Sequence, residues 1–214
     1  MTTFGESHGQ AIGGILDGMP AGVLINMERI KSQLNRRRPG QSHITTSRSE
    51  SDEFNILSGL IDGVTTGHAI GFLIPSSDQK SADYCKIKTS FRPSHADYTY
   101  FHKYGINDHN GGGRSSARET ANWVLAGAIS SHLIPDIEIY SFVSSVGDIH
   151  AEYHQNMNLE TIDSNIVRCP TLDKAEAMIQ LIESVKIEGD SIGGVITTVI
   201  RNVPIGLGEP IFHK

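Results

Sequence analysis

A helix beginning at Ser116, with Ala117, Ala121, Val124, Leu125, Ala128 and Ile129 along one face, is the feature that most restricts what this chain can fold into. The apolar spacing is helical, and the small side chains require neighbouring elements to approach its axis closely. Ser116-Ala117-Arg118-Glu119 fits the S-x-x-E capping box, which places the helix start by two reciprocal side-chain bonds to orphan amides. Directly before it runs Asn110-Gly111-Gly112-Gly113-Arg114-Ser115. Three glycines admit a ligand close to the backbone, the helix start supplies partial positive charge and Arg114 a full one, so the segment is a candidate anion site. The competing reading is a flexible hinge, because neither G-x-x-x-x-G-K-[ST] nor G-x-G-x-x-G is present.

Around that helix the chain reads as a mixture of short strands and amphipathic helices. Residues 11–16 and 22–25 favour strands and are separated by Asp17-Gly18-Met19-Pro20, which predicts a hairpin. Asn26 is placed to cap a helix running to about Arg37, with Ile30 and Leu34 on one face and Pro39-Gly40 as its stop. Residues 42–53 read as an exposed polar loop, and 54–60 with 68–74 as an antiparallel strand pair. Residues 76–110 show little helical period, and loops of such length in a compact domain are usually functional. A strand over 138–146, a helix over 173–186 and a strand over 194–203 complete the pattern. No repeat or linker divides the chain, so one domain over 1–214 is expected.

Charge narrows the partners. A net charge of −6 over 214 residues argues against a general nucleic-acid binder. There is no long apolar run and no signal-peptide pattern at the start, so no membrane partner and a cytoplasmic location are expected. Cys85 and Cys169 lie far apart and read as free thiols. Positive charge gathers in Arg36-Arg37-Arg38 and at Arg92, Arg114 and Arg118, an arrangement suited to one small anion, although a solvated face explains any single cluster.

Two histidines stand in reactive company. Gly5-Glu6-Ser7-His8-Gly9 sets a carboxylate, a hydroxyl and an imidazole between glycines, and Arg92-Pro93-Ser94-His95-Ala96-Asp97 sets an imidazole between an arginine and an aspartate. His95 there has neighbours able to tune it as an acid near neutral pH. His150 and His154 have i, i+4 ligand spacing, but without H-E-x-x-H no metal is expected. A Ser7–His8 hydrolase is disfavoured because adjacent side chains diverge on extended backbone and no G-x-S-x-G elbow exists.

Together these blocks resemble the chorismate synthase family. Gly5 to Gly9, followed by Gly13, Asp17-Gly18 and Pro20, matches its first signature; Gly113 to Thr120, continuing to Gly127-Ala128, matches its second. Arg36 to Gly40, Arg92 to Tyr100, Lys103-Tyr104-Gly105, Glu188 to Ser191 and Gly206 to Pro210 follow in the family's order. The resemblance implies an α+β fold, a β-α-β sandwich with helices between antiparallel sheets, assembled as a homotetramer. It also implies a carbon–oxygen lyase that converts 5-enolpyruvylshikimate 3-phosphate to chorismate by 1,4-elimination of phosphate, dependent on reduced FMN, with NADPH as a possible reductant.

By the same resemblance His8 and His95 are catalytic acids, and Arg114, Ser115 and Ser116 contact FMN. Arg37 and His43 meet NADPH or a substrate anion, and Ser7, Arg38 and Arg48 meet the substrate. His43 stands where many relatives place arginine. The family continues beyond Lys214, so an incomplete C-terminal portion is expected. Two alternatives go with that: an inactive flavin- or anion-binding remnant, and an NADPH-dependent flavin reductase.

Overall fold

The computed structural model describes residues 1–45, 50–76 and 90–212. Residues 1–40 with 47–134 form one compact unit, and 41–46 with 135–214 form another. Both are built from helices and antiparallel strands, so the fold class is α+β.

The first unit is organised on a four-stranded antiparallel sheet in the order β1 (Thr2–Phe4), β2 (Ala11–Leu16), β6 (Ile70–Pro75), β3 (Asn55–Ile56). Strand β2 alternates, burying Ile12 and Leu16. Its paired glycines admit an aromatic ring on each face. A β-carbon on Gly14 would lie 2.5 Å from the Phe72 ring, and one on Gly13 would lie 2.5 Å from the Phe4 ring.

Helix α1 (Met27–Arg37) starts where Asn26 Oδ1 accepts the Arg29 amide at 3.0 Å, and it buries Ile30 and Leu34. It stops at Arg38, whose extended conformation is the one a residue before proline is driven to. Helix α3 (Thr120–Ser130) packs on α1 and β2 through Ala121, Leu125, Ala128 and Ile129, all buried. These join Ile70, Phe72 and Ile74 in one core.

Three local expectations are corrected here. Residues 22–25 do not return as a hairpin partner of β2. That strand's two sides are taken by β1 (Thr2↔Ile15) and β6 (Leu16↔Ile70), while Leu24 makes only an isolated bridge to Val64 in the small hairpin of β4 (Leu60–Ile61) and β5 (Val64–Thr65). The intervening turn instead drops Met19 into the core.

The segment 76–110 contains a helix, α2 (Asp97–Tyr104), closed by Gly105 at φ 75°. Its only buried residue is Asp97, so it carries no apolar stripe to betray it.

The capping box at Ser116 is half formed. Ser116 Oγ accepts the Arg118 amide, but Glu119 turns away to Arg114 and Asn122. Residues Ala117–Glu119 form a tight 3₁₀ turn, and the α-helix proper begins at Thr120.

In the second unit, β7 (Glu138–Val146) pairs with β8 (Ile149–His150) and β9 (Gly194–Arg201). A register shift between Val143 and Ser145 inserts Ser144 as an extra residue, and its hydroxyl takes a bond from Thr197 at 2.8 Å. Helix α4 (Leu172–Ile187) covers this sheet, burying Ala175 and Met178 beside Val146 and Cys169. Burial pushes the Cys169 thiol pKa up, which keeps it protonated. Among the described residues no helix is long and apolar enough to cross a membrane, and no group of three His, Cys, Asp or Glu side chains is placed to hold a metal ion.

Candidate functional site

The site lies in the first unit, where three segments distant in sequence meet. The turn after β1 carries Ser7 and His8. Ser7 is buried, its hydroxyl donating to the Gly111 carbonyl at 3.3 Å and lying 2.9 Å from His8 Nδ1. A carbonyl can only accept, so with the Ser7 proton directed there the serine oxygen is left to accept from Nδ1–H of His8.

Residues 92–97 bring in the second imidazole. His95 Nδ1–H donates to the Pro93 carbonyl at 2.9 Å, across a turn whose Ser94 sits at φ 59°. Arg92 closes that turn as a fork on Asp97, with Nε–Oδ2 and Nη2–Oδ1 both at 2.8 Å and the Arg92 amide at 3.1 Å. The Arg92 hydrogen bond pulls the buried Asp97 carboxyl down from 3.8 to about 2, against the desolvation that would raise it.

The third segment is the glycine run. Gly111, Gly112 and Gly113 all have positive φ, and a β-carbon on Gly111 would lie 2.2 Å from the His8 ring. The amides of Gly112, Ser115 and Ser116 are used within the run, donating to the carbonyls of Asp108, Gly112 and Gly113. Those three amides are turned inward, and the run presents a close backbone wall beside the Ser116 hydroxyl.

These segments enclose a cleft of about 340 Å³ lined by His8, Arg92, Ser94, His95, Gly111, Gly112, Ser115 and Ser116. Two imidazoles, a guanidinium and the Ser94 and Ser116 hydroxyls make a donor set suited to an anionic ligand, the Ser115 hydroxyl donating to the Gly112 carbonyl at 2.6 Å. Arg92 and the glycines at 111 and 112 line the cleft, as the glycine run and the gathered cations of the sequence suggest, and Ser94 is a lining residue that no sequence pattern marks.

Other candidates lie elsewhere. Arg114 points to the start of the chain, bonding the Gly5 carbonyl, Thr3 Oγ1 and Glu119. Arg37 joins Asp52 at 2.9 Å, Thr120 Oγ1 at 3.3 Å and the Ala117 carbonyl at 3.2 Å. Asp52 is itself buried and also holds Arg118. Arg38 lines a larger cleft of about 630 Å³ whose walls mix Lys31 and Arg38 with Asp52 and Glu53, so its charges offset. His43, in the second unit, pairs with Glu183 at 2.6 Å. Arg48 and Cys85 lie outside the described residues.

The family model described as chorismate synthase matches residues 1–214. The chain belongs to the chorismate synthase family. The chorismate synthase of Flavobacterium psychrophilum is 55% identical over 215 residues, covering all of this chain and 61% of that protein. That of Bacteroides fragilis is 51% identical over 217 residues, again with 61% of the relative covered. A crystal structure of chorismate synthase superposes with a TM-score of 0.73 at 31% identity, covering 94% of this chain and 57% of that one. The chain thus has a chorismate synthase fold and spans about three-fifths of the length of these relatives.

Proposed function

We propose that this chain supplies the acid side of a chorismate synthase active site, for the 1,4-elimination of phosphate from 5-enolpyruvylshikimate 3-phosphate to give chorismate. The observation that carries the reading is the meeting of His8 and His95 in one cleft with Arg92, Ser115 and Ser116. Reduced FMN, held against Ser115 and Ser116, would supply electron density to expel the allylic phosphate and would take up the unactivated hydrogen that no ordinary side-chain base removes.

The chain's own residues then have definite work. Ser7 accepts from His8 Nδ1–H, which orients the ring and stabilises the imidazolium, leaving Nε2–H as the proton for a departing phosphate. His95 is held the same way by the Pro93 carbonyl, so its Nε2 is the atom that gains and loses a proton beside a negatively charged ring. Arg92, already aligned by Asp97, adds fixed positive charge to the cleft. Arg37 and His43 carry acidic partners, Asp52 and Glu183, as Arg92 carries Asp97, but of the three it is Arg92 that lines the cleft, so anion binding falls on it first. The same reading carries NADPH as an external source of electrons and a homotetramer as the assembled state.

The test is a chimera in which these 214 residues replace the matching part of the Flavobacterium psychrophilum relative. Given reduced FMN without oxygen, it is expected to form chorismate and phosphate in equal amounts. A folded chimera that binds FMN and releases neither product refutes the proposal.

A further inference from the structure

We infer that Arg114 is a positioning residue that sets the place of His8, rather than a ligand contact. Its guanidinium bonds the Gly5 carbonyl at 2.9 Å through Nη1 and Thr3 Oγ1 at 2.6 Å through Nη2. Nη1 also meets Glu119 Oε2 at 2.6 Å, and that carboxylate oxygen is fixed in turn by Asn122 Nδ2 at 3.1 Å. Glu119 and Asn122 are both buried, so the arginine is anchored from a rigid helix start and reaches across to the turn that carries His8. Arg114 is not among the residues lining the histidine cleft, whereas its neighbours Ser115 and Ser116 are.

Geometry explains why such a tether is needed. The turn from Gly5 to His8 has strand β1 before it, only three residues long, and Gly5 is pressed so tightly on β2 that a β-carbon there would lie 2.3 Å from the Ala11 carbonyl oxygen. On its far side His8 abuts Gly111. Ties to the 111–115 segment include Arg114 to Gly5 and to Thr3 of β1 ahead of His8, and Ser7 to the Gly111 carbonyl beside it. The Ser7 bond is long at 3.3 Å. Without Arg114 the tie ahead of His8 is lost, and the Glu119 carboxylate loses its cation in a buried wall. The link from Arg114 to catalysis rests on the function proposed above; the link from Arg114 to His8 does not.

The experiment follows the histidine rings of the 214-residue chain by NMR, with His8 assigned through His8→Gln. His132 serves as the control, since its Nε2 accepts the Asn26 amide at 2.9 Å in the same unit. Arg114→Gln is expected to move the His8 titration midpoint or broaden its signals while His132 stays in place. Thr3→Val, which removes one bond and no charge, is expected to move His8 in the same direction by less. FMN affinity, read by fluorescence quenching, is expected to change less than about threefold, since no direct charge-assisted contact is removed. An unmoved His8 in both variants, or a tenfold loss of FMN affinity with His8 unmoved, overturns the inference. Should Arg114→Gln unfold, as loss of the His132 signal would show, Thr3→Val decides alone. No turnover is measured, so a chain without activity leaves the outcome readable.

Discussion

The His8 imidazole lies so close to the backbone of Gly111 that a single added β-carbon would sit 2.2 Å from its ring. Gly111 also has φ 82°, a conformation that L side chains adopt only at a cost of about 1–2 kcal/mol. Gly111→Ala is therefore expected to do two separable things. Stability falls by about that amount in urea titration, and turnover of the chimera falls by roughly tenfold or more, as a displaced acid does. A variant that loses stability but keeps full turnover would show that His8 tolerates being moved.

Asp52 joins Arg37 and Arg118 from opposite carboxylate oxygens, with the side chains of Asp52 and Arg118 at 0% and 1% exposure. This ties the end of α1 to the turn that enters α3. Asp52→Asn keeps the shape and suits the φ of 52°, while it removes the charge and turns one of two accepting oxygens into a donor facing an arginine. Unpairing a buried guanidinium costs about 3–5 kcal/mol; with the buried Glu50 carboxylate still 3.8 Å from Arg118, thermal unfolding of the variant is expected to show a part of that loss. A melting temperature within a degree or two of the parent would mean the cluster finds other partners.

Ser94 holds a left-handed φ of 59° in the turn that presents His95. Ser94→Gly removes that strain and is expected to raise stability by about 0.5–1 kcal/mol, partly offset by the greater freedom of glycine when unfolded. A fall in the unfolding midpoint would show that the Ser94 side chain contributes more than its backbone costs.

The Arg92–Asp97 fork makes a pH prediction. The Asp97 carboxyl is held at about 2, below its ordinary 3.8, so between those values the unfolded chain binds the extra proton. Stability from the pair is complete above about pH 4 and is lost as the pH falls towards 2. Asp97→Asn lacks that contribution at every pH, so the gap between parent and variant in urea midpoints is expected to close over this window. An equal gap at both ends would show that the fork is not what lowers the carboxyl.

Much of the fold is legible in the residues, and the exceptions have physical reasons. Helix α1 announces itself by Asn26, by Ile30 with Leu34, and by Pro39, all acting within one element. Strand β7 and helix α4 likewise lie within a residue of their expected bounds. The hairpin expected from Asp17 to Pro20 fails because strand pairing is decided by competitors, here β1 and β6, that no local signal reveals. Helix α2 is hidden because its stabilising features are a glycine stop and exposed aromatic rings such as Tyr98 and Tyr104.

In the site, the chemistry of His8 and His95 is readable but their meeting is not. It depends on a glycine wall at 111–112 that touches both segments. The direction of Arg114 is equally out of reach. A cation before a helix reads as ligand-facing, and only the position of the Gly5 carbonyl shows where it goes.

In the proposed function the His8–His95 cleft performs the acid chemistry of phosphate elimination. Its most direct measurement is the anaerobic rate of chorismate formation by the chimera with reduced FMN, compared across the parent, His8→Ala and His95→Ala. Product is expected from the parent and a loss of about 10²–10⁴ in kcat for each variant, with FMN still bound because Arg92 and the Ser115–Ser116 segment remain. Variants that are folded, bind FMN and turn over at the parent's rate would contradict it.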